Sequence, residues 1–319
     1  MSSLQDLNTT SFGRKPDWCP GCGNFGILMA LKQAVSELQL DPKNTVLVSG
    51  IGCGPKMPLW INVSGFQSLH GRTLPVASGI KLANHKLDVF ATSGDGDAYG
   101  IGTCHFIHAM RRNIDMVYIV HDNQVYGLTQ GQASPTTDKG THTKSTPFGV
   151  IEVATRPLSL AIVSGASFVA RGFAGDIPHL KSLIVEAHKH RGFALIDVLQ
   201  PCVTFNKTNT YQWFQERVYK LGEDYDPTDK MNAIKTAQMW GDKIPLGIYY
   251  RENRPTYNDE LPQIADKTLR EYGVDNIDIS ELMREYSGRR QYYTTNYLDA
   301  TQEFAASAHF FASATFFSL

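Results

Sequence analysis

Two groups of residues in this chain have the types and spacing to do chemistry. Cys19 and Cys22 stand in "DWCPGCGN", separated by Pro20 and Gly21. Cys53 stands in "GIGCG" and Cys202 in "LQPC", each just after a stretch that reads as a strand. Strand ends of a parallel sheet converge on one edge, so the remote thiols can complete a four-coordinate site. Four thiolates suit Zn²⁺ or a [4Fe–4S] cluster, and spacing alone does not choose between them. The second group is Asp95, within "TSGDGDAYGIG", and Asn123, within "HDNQVYG". A carboxylate and an amide oxygen are hard ligands of the kind Mg²⁺ takes, and the Val125 carbonyl supplies another. Gly94 and Gly96 let the backbone come close, and the N-terminus of the helix that follows favours an anionic diphosphate.

The elements that must position these residues follow from periodicity. Ile27, Leu28, Leu31, Ala34, Val35 and Leu38 recur at helical spacing, with Asn24 as the expected cap. Residues 45–50, 88–94, 115–123, 167–172 and 193–202 read as strands, and 103–113 and 177–192 as helices. Strands alternating with helices predict an α/β fold, a mostly parallel sheet with helices on both faces and ligands gathered at the carboxyl ends of the strands. Residues 136–159 are polar and aperiodic, a long loop of the kind that tends to be functional. Lys139, His142 and Lys144 in it read as solvated. Cys104, inside a predicted helix, reads as a small packed core residue.

Bulk properties set limits. The chain has 319 residues, of which 42% are apolar, a globular composition. A formal net charge of −1 without a long basic run argues against nucleic acid as a partner. No signal-like N-terminus and no long apolar span is found, which leads us to expect a cytoplasmic protein with no membrane association. Five cysteines then point to metal or redox use rather than disulfides. The expected organisation is a loose arm over 1–16, one cofactor-binding domain over 17–250, and an extension over 251–319 that makes a subunit contact. The extension ends in the Phe/Ala-rich "QEFAASAHFFASATFFSL", expected to be a docking helix or a disordered end.

Gly-Asp-Gly followed after somewhat under thirty residues by Asn resembles the thiamine-diphosphate motif. Four cysteines beside such a site favour iron–sulfur over structural zinc, because an electron acceptor has a reason to be there. Taken together, "DWCPGCGNFGIL", "VSGIGC", "LHGR", "GDGDAYGIG", "HDNQVYGLTQGQASPTT", "ALIDVLQPC" and "WGDKIPLGIYY" resemble the β subunit of 2-oxoacid:ferredoxin oxidoreductases over about residues 17 to 260.

The resemblance implies a thiamine-diphosphate-binding (pyrophosphate-type) fold. It implies Mg²⁺ on Asp95, Asn123 and Val125, and one [4Fe–4S] cluster on Cys19, Cys22, Cys53 and Cys202. Ile51, Gly52, Cys53, Gly54, His70, Gly94, Gly96, Asp97, Gly127 and Leu128 would line the cofactor, and Lys56 and Leu128 would recognise the substrate. Gly54 departs from the small polar residue commoner in the family after the third cysteine. The implied reaction is coenzyme A-dependent oxidative decarboxylation of 2-oxoglutarate, pyruvate or both, with electrons passed to ferredoxin. No carboxylate suited to activating the cofactor's aminopyrimidine is evident. The family places it on an α (or fused γ–α) subunit, so the chain would work only in an αβ or (αβ)₂ assembly. The rivals are a non-redox thiamine-diphosphate decarboxylase or carboligase subunit, and a zinc-stabilised interaction subunit.

Overall fold

The computed structural model describes residue 7, residues 15–273 and residues 277–287. Eight strands form one sheet: β1 (Thr45–Ser49), β2 (Ser64–Gln67), β3 (Asp88–Gly94), β4 (Met116–Asp122), β5 (Phe168–Phe173), β6 (Phe193–Leu199), β7 (Val218–Lys220) and β8 (Ile244–Arg251). Their order is β2-β1-β3-β4-β6-β5-β8-β7. Every neighbouring pair is parallel except β5 with β8. The helices are α1 (Asn24–Glu37), α2 (Thr73–Ala83), α3 (Thr103–Arg111), α4 (Pro157–Val163), α5 (Ile177–Lys189), α6 (Tyr211–Gln215) and α7 (Lys230–Ala237).

The central strands β1, β3, β4, β5 and β6 are buried on both faces, and the two-residue period of the pleat sorts their side chains. Leu47, Phe90, Val117, Ile119, Ala194 and Ile196 point to one side, where Ile27 and Leu31 of α1 and Leu180 and Ile184 of α5 meet them. Val46, Val48, Val89, Ala91, Tyr118, Val120 and Leu195 point to the other, against Leu74 of α2, Phe106 of α3 and Ala233 of α7. The chain leaves β1 on the first side, through Met57 and Trp60, and leaves β3 on the second, through Ala98 and Tyr99. Opposite exits open a crevice between the carboxyl ends of β1 and β3, the place where open parallel sheets bind ligands.

Several expectations are corrected. Asn24 does not cap α1: Gly23 holds that position, and the Asn24 side chain turns instead to His121. The 136–159 loop ends at Arg156, because Pro157 opens α4 with its ring already set at a helical φ. Cys104 is exposed, since α3 buries Phe106, Ala109 and Met110 and position 104 falls on the other face.

Of the expected arm, Leu7 is described; it is fully buried, and its carbonyl accepts from the Asn62 N–H at 3.2 Å. Beyond Arg251 the chain is pinned beneath the sheet: Arg254 Nη2 donates to the Met110 and Gly165 carbonyls, and Asn113 Nδ2 donates to Pro255 O. The first compact unit runs to Glu271. In the second, residues 280–287 are helical; the Phe/Ala-rich end lies outside the described residues. No described helix is long and apolar enough to cross a membrane.

One ion pair is locked in the sheet itself. Arg171 on β5 and Asp197 on β6 are register partners, 2% and 0% exposed, joined Nε to Oδ2 at 3.0 Å. Tyr99 donates to the other Asp197 oxygen at 2.8 Å. Asp197→Ala leaves a buried guanidinium without its counter-charge and is expected to cost about 3–5 kcal/mol in urea unfolding. The double replacement Arg171→Met/Asp197→Leu is expected to cost clearly less than that single change.

Candidate active site

At the carboxyl edge, one cleft of ≈ 560 Å³ is lined by Ile51, Gly52, Cys53, Gly54, His70, Gly94, Asp95, Gly96, Asp97, Asn123, Val125, Tyr126, Gly127, Leu128 and Thr129. The loops after β1, β3 and β4 supply most of it. A Cβ on Gly94 would meet nothing within 4 Å, so the backbone there faces open space. At Gly96 a Cβ would fall 2.1 Å from the Tyr126 ring, whose hydroxyl donates to Gly96 O at 3.1 Å. Glycine is therefore required at 96 to let that ring close one side of the cleft.

Asp95 is 2% exposed and accepts at Oδ2 from Ser134 Oγ at 2.5 Å and Thr136 Oγ1 at 2.7 Å. Burial pushes its carboxyl up to about 6, and the two hydroxyls oppose that only in part. A buried carboxylate short of counter-charge fits a cation site. Thr136 Oγ1 also lies 2.8 Å from Asp122 Oδ1. One hydroxyl proton cannot serve two carboxylates. Burial and the neighbouring charges of Asp197 and Asp95 raise Asp122 well above the carboxylate range, which eases the crowding of two carboxyls on one hydroxyl.

Asn123 Oδ1 accepts from the Val125 N–H at 3.1 Å, an Asx turn that carries Gln124 through φ 58°. Asn123 Nδ2 donates to Gln200 Oε1 at 2.8 Å. Asp97, expected at the cofactor, does line the cleft, but its carboxylate is spent on the chain: Ile51 N at 3.2 Å, Gly71 N at 2.6 Å and Thr73 Oγ1 at 3.3 Å. His70 Nδ1 approaches Asp97 Oδ1 at 2.8 Å, out of line for a hydrogen bond.

Cys19, Cys22, Cys53 and Cys202 line a second cavity, of ≈ 690 Å³. Cys53, Asn123, Gly127 and Leu128 belong to both linings. A Cβ on Gly127 would stand 3.6 Å from Cys53 Sγ and 3.9 Å from Cys202 Sγ, so two sulfurs flank the backbone that also walls the cleft. Burial pushes the Cys22 thiol up to about 12, and the other three cysteines add to that. Among the described residues no three His, Cys, Asp or Glu side chains close on a point as a single metal ion needs. Four sulfurs around one cavity are a donor set of the kind that holds an iron–sulfur core or a zinc ion.

Two bonds tie the first cysteine pair to the third: Trp18 Nε1 donates to Cys53 O at 2.6 Å, and Lys56 Nζ meets Asp17 Oδ2 at 3.0 Å. Lys56 lines the cysteine cavity and is not among the residues of the cleft. Leu128 is 46% exposed, open to both.

Two family models match the chain: the C-terminal TPP-binding domain of thiamine pyrophosphate enzymes over residues 43–198, and the C-terminal part of the pyruvate ferredoxin oxidoreductase β subunit over residues 202–266. A 2-oxoacid:ferredoxin oxidoreductase subunit β of Saccharolobus solfataricus is 49% identical, covering 84% of this chain and 96% of the relative. One from a Sulfolobus species is 53% identical over the same shares. The chain belongs to the β subunits of the 2-oxoacid:ferredoxin oxidoreductases. A solved relative of this family, the 2-oxoglutarate:ferredoxin oxidoreductase of Magnetococcus marinus with 2-oxoglutarate, coenzyme A and succinyl-CoA bound, superposes with a TM-score of 0.81 at 35% identity. That match covers 89% of this chain and 95% of the other. The cleft of this β subunit thus lies within a thiamine-diphosphate-binding domain.

Sequence reasoning missed three residues that build the site. Gln200 and Thr136 lack any motif of their own, although both fall inside quoted segments. His121, fully buried, bonds Asn24 Oδ1 through Nδ1 at 2.8 Å and Thr92 Oγ1 through Nε2 at 2.9 Å. A Cβ on residue 54 would fall 2.7 Å from this ring, which is why glycine follows Cys53. Burial pushes the His121 pKa down to about 3. The unfolded chain takes up this proton near pH 6.5, so the contribution is complete above that value and is lost as pH falls toward the folded pKa. The expected slope is at most about 1.4 kcal/mol per pH unit. His121→Gln should flatten the urea-derived stability profile across that acid range.

Proposed function

We propose that this β subunit carries the thiamine-diphosphate and iron–sulfur half of an enzyme that decarboxylates 2-oxoacids oxidatively to acyl-CoA and passes the electrons to ferredoxin. The observation that carries the reading is the shared wall: Cys53 and Gly127 face both the cleft and the four-cysteine cavity. When bound, thiamine diphosphate supplies the electron sink for loss of carbon dioxide, and a [4Fe–4S] cluster takes up the electrons released.

The chain's own residues do the rest. Asp95, Asn123 Oδ1 and the Val125 carbonyl would hold Mg²⁺, with Ser134 and Thr136 fixing the carboxylate. The Gly94–Gly96 backbone would receive the diphosphate at the start of the π-helical turn Gly96–Ile101. Cys19, Cys22, Cys53 and Cys202 would ligate the cluster. Leu128 would cover the substrate, and Lys56 would leave Asp17 to meet a distal carboxylate. In the Magnetococcus relative the bound 2-oxoglutarate and coenzyme A point to the same substrate class. The partner would be an α-type subunit supplying the missing catalytic carboxylate. A structural zinc ion accounts less well for cysteines whose cavity shares a wall with the cleft.

The test is anaerobic co-expression with the partner subunit, followed by metal analysis and coenzyme A-dependent dye reduction across several 2-oxoacids. About four iron and four sulfide per β subunit are expected. Zinc without iron would refute the redox assignment. Asp95→Ala should abolish thiamine-diphosphate-dependent turnover while iron content stays at the wild-type level. Lys56→Ala should raise KM for 2-oxoglutarate about tenfold, the loss of a weak charge-assisted bond, and raise KM for pyruvate much less. An equal change in both would remove Lys56 from substrate recognition.

A further inference from the structure

Gln200 is 1% exposed and follows directly on β6. Its Nε2 lies 2.8 Å from the Pro201 carbonyl and 3.4 Å from Cys22 Sγ. A carbonyl only accepts, so the nitrogen of this amide must be on that side. Its second N–H is then directed to the Cys22 sulfur. The Oε1 atom is left facing Asn123, where it accepts from Nδ2 at 2.8 Å. Because Asn123 spends its nitrogen there, its oxygen turns the other way, to the side of the Val125 N–H. Pro201 thereby decides, through Gln200, which atom Asn123 offers to the cleft. A cation accepts only the oxygen.

We propose that Gln200 is a positioning residue serving both sites. It presents the Asn123 oxygen to Mg²⁺ and donates an N–H to the Cys22 sulfur, so cation affinity and cluster potential depend on one amide. This rests on the cluster and cation reading given above. Hydrogen bonds to cluster sulfurs stabilise the reduced, more negative state and raise the potential. Asn24 offers a second such donor. It is fully buried in the wall of the cysteine cavity, its oxygen is held by His121, and its Nδ2 has no hydrogen-bond partner among the described residues.

The experiment uses the anaerobically purified complex with its partner subunit and three β variants. Gln200→Leu removes both roles, Gln200→Glu keeps an acceptor for Asn123 but loses the amide donor, and Asn24→Ala removes the other donor together with the oxygen that meets His121. Two quantities are read: the cluster midpoint potential by EPR-monitored titration, and Mg²⁺ affinity by calorimetry in the presence of thiamine diphosphate. Gln200→Leu is expected to weaken Mg²⁺ about tenfold and to make one-electron reduction about tenfold less favourable, a fall of about 59 mV. Gln200→Glu and Asn24→Ala are expected to lower the potential while Mg²⁺ affinity stays at the wild-type level. Should Gln200→Leu not fold, Gln200→Glu and Asn24→Ala still decide the redox half. An unmoved potential in the Gln200 variants, or unmoved Mg²⁺ affinity in a folded Gln200→Leu protein, overturns the inference. Absence of iron and sulfide in the wild-type complex would instead overturn the cluster reading beneath it.

Discussion

The narrow partition between the cleft and the cysteine cavity is the constraint on which the rest of this β subunit depends. Cys53, Asn123, Gly127 and Leu128 face both spaces. Gly127 carries the backbone through this partition, and a Cβ there would rest in ordinary contact with two sulfurs, 3.6 Å from Cys53 Sγ and 3.9 Å from Cys202 Sγ. The partition requires the ends of β1, β4 and β6 to meet the loop that begins at Cys19. They meet because these three strands run parallel, so the loops that follow them emerge on one edge. The Gly23 N–H bond to Pro201 O, 3.2 Å, fastens the first cysteine loop to the last strand.

Beneath the cleft lies a layer of buried charge. Asp95, Asp122 and Asp197 are each at most 2% exposed, and Arg171 is the cation paired among them. Three full negative charges against one guanidinium would be costly in so dry a setting. Burial raises both Asp122 and Asp95, which eases that cost, and the third carboxylate, Asp197, is met by Arg171. Thr136 sets its one hydroxyl between the carboxyls of Asp95 and Asp122 and so ties the two together. The same economy of donors shows in Asp97, which gathers Ile51, Gly71 and Thr73 and so holds the β1 loop against the segment that precedes α2.

Surfaces around the cleft mouth are unusually apolar for exposed positions. Leu69 and Ile101 are 75% and 60% exposed, and a Cβ on Gly71 would touch Ile101. Most of the polar loop after Asn123 is held from inside: Gln124 donates to Thr136 O, and Thr137 donates to Gln124 O.

The sequence by itself determined which residue types stand ready for chemistry. Cysteine spacing, Gly-Asp-Gly and the downstream Asn are local patterns whose residue types are dictated by the ligands they would bind. Periodicity likewise marked the buried parallel strands β1, β3, β4, β5 and β6, because burial on both faces leaves continuous apolar runs. Tertiary structure decided what depends on partners far along the chain. β2 is short and exposed, so it left no apolar signal. The reversed direction of β8 is a matter of packing, invisible in its own residues. Asn24 looked like a cap until His121, 97 positions away, claimed its oxygen. Gln200 and Thr136 are ordinary polar residues in sequence; their roles arise only when folding sets an amide between Asn123 and Cys22, and a hydroxyl between two carboxylates.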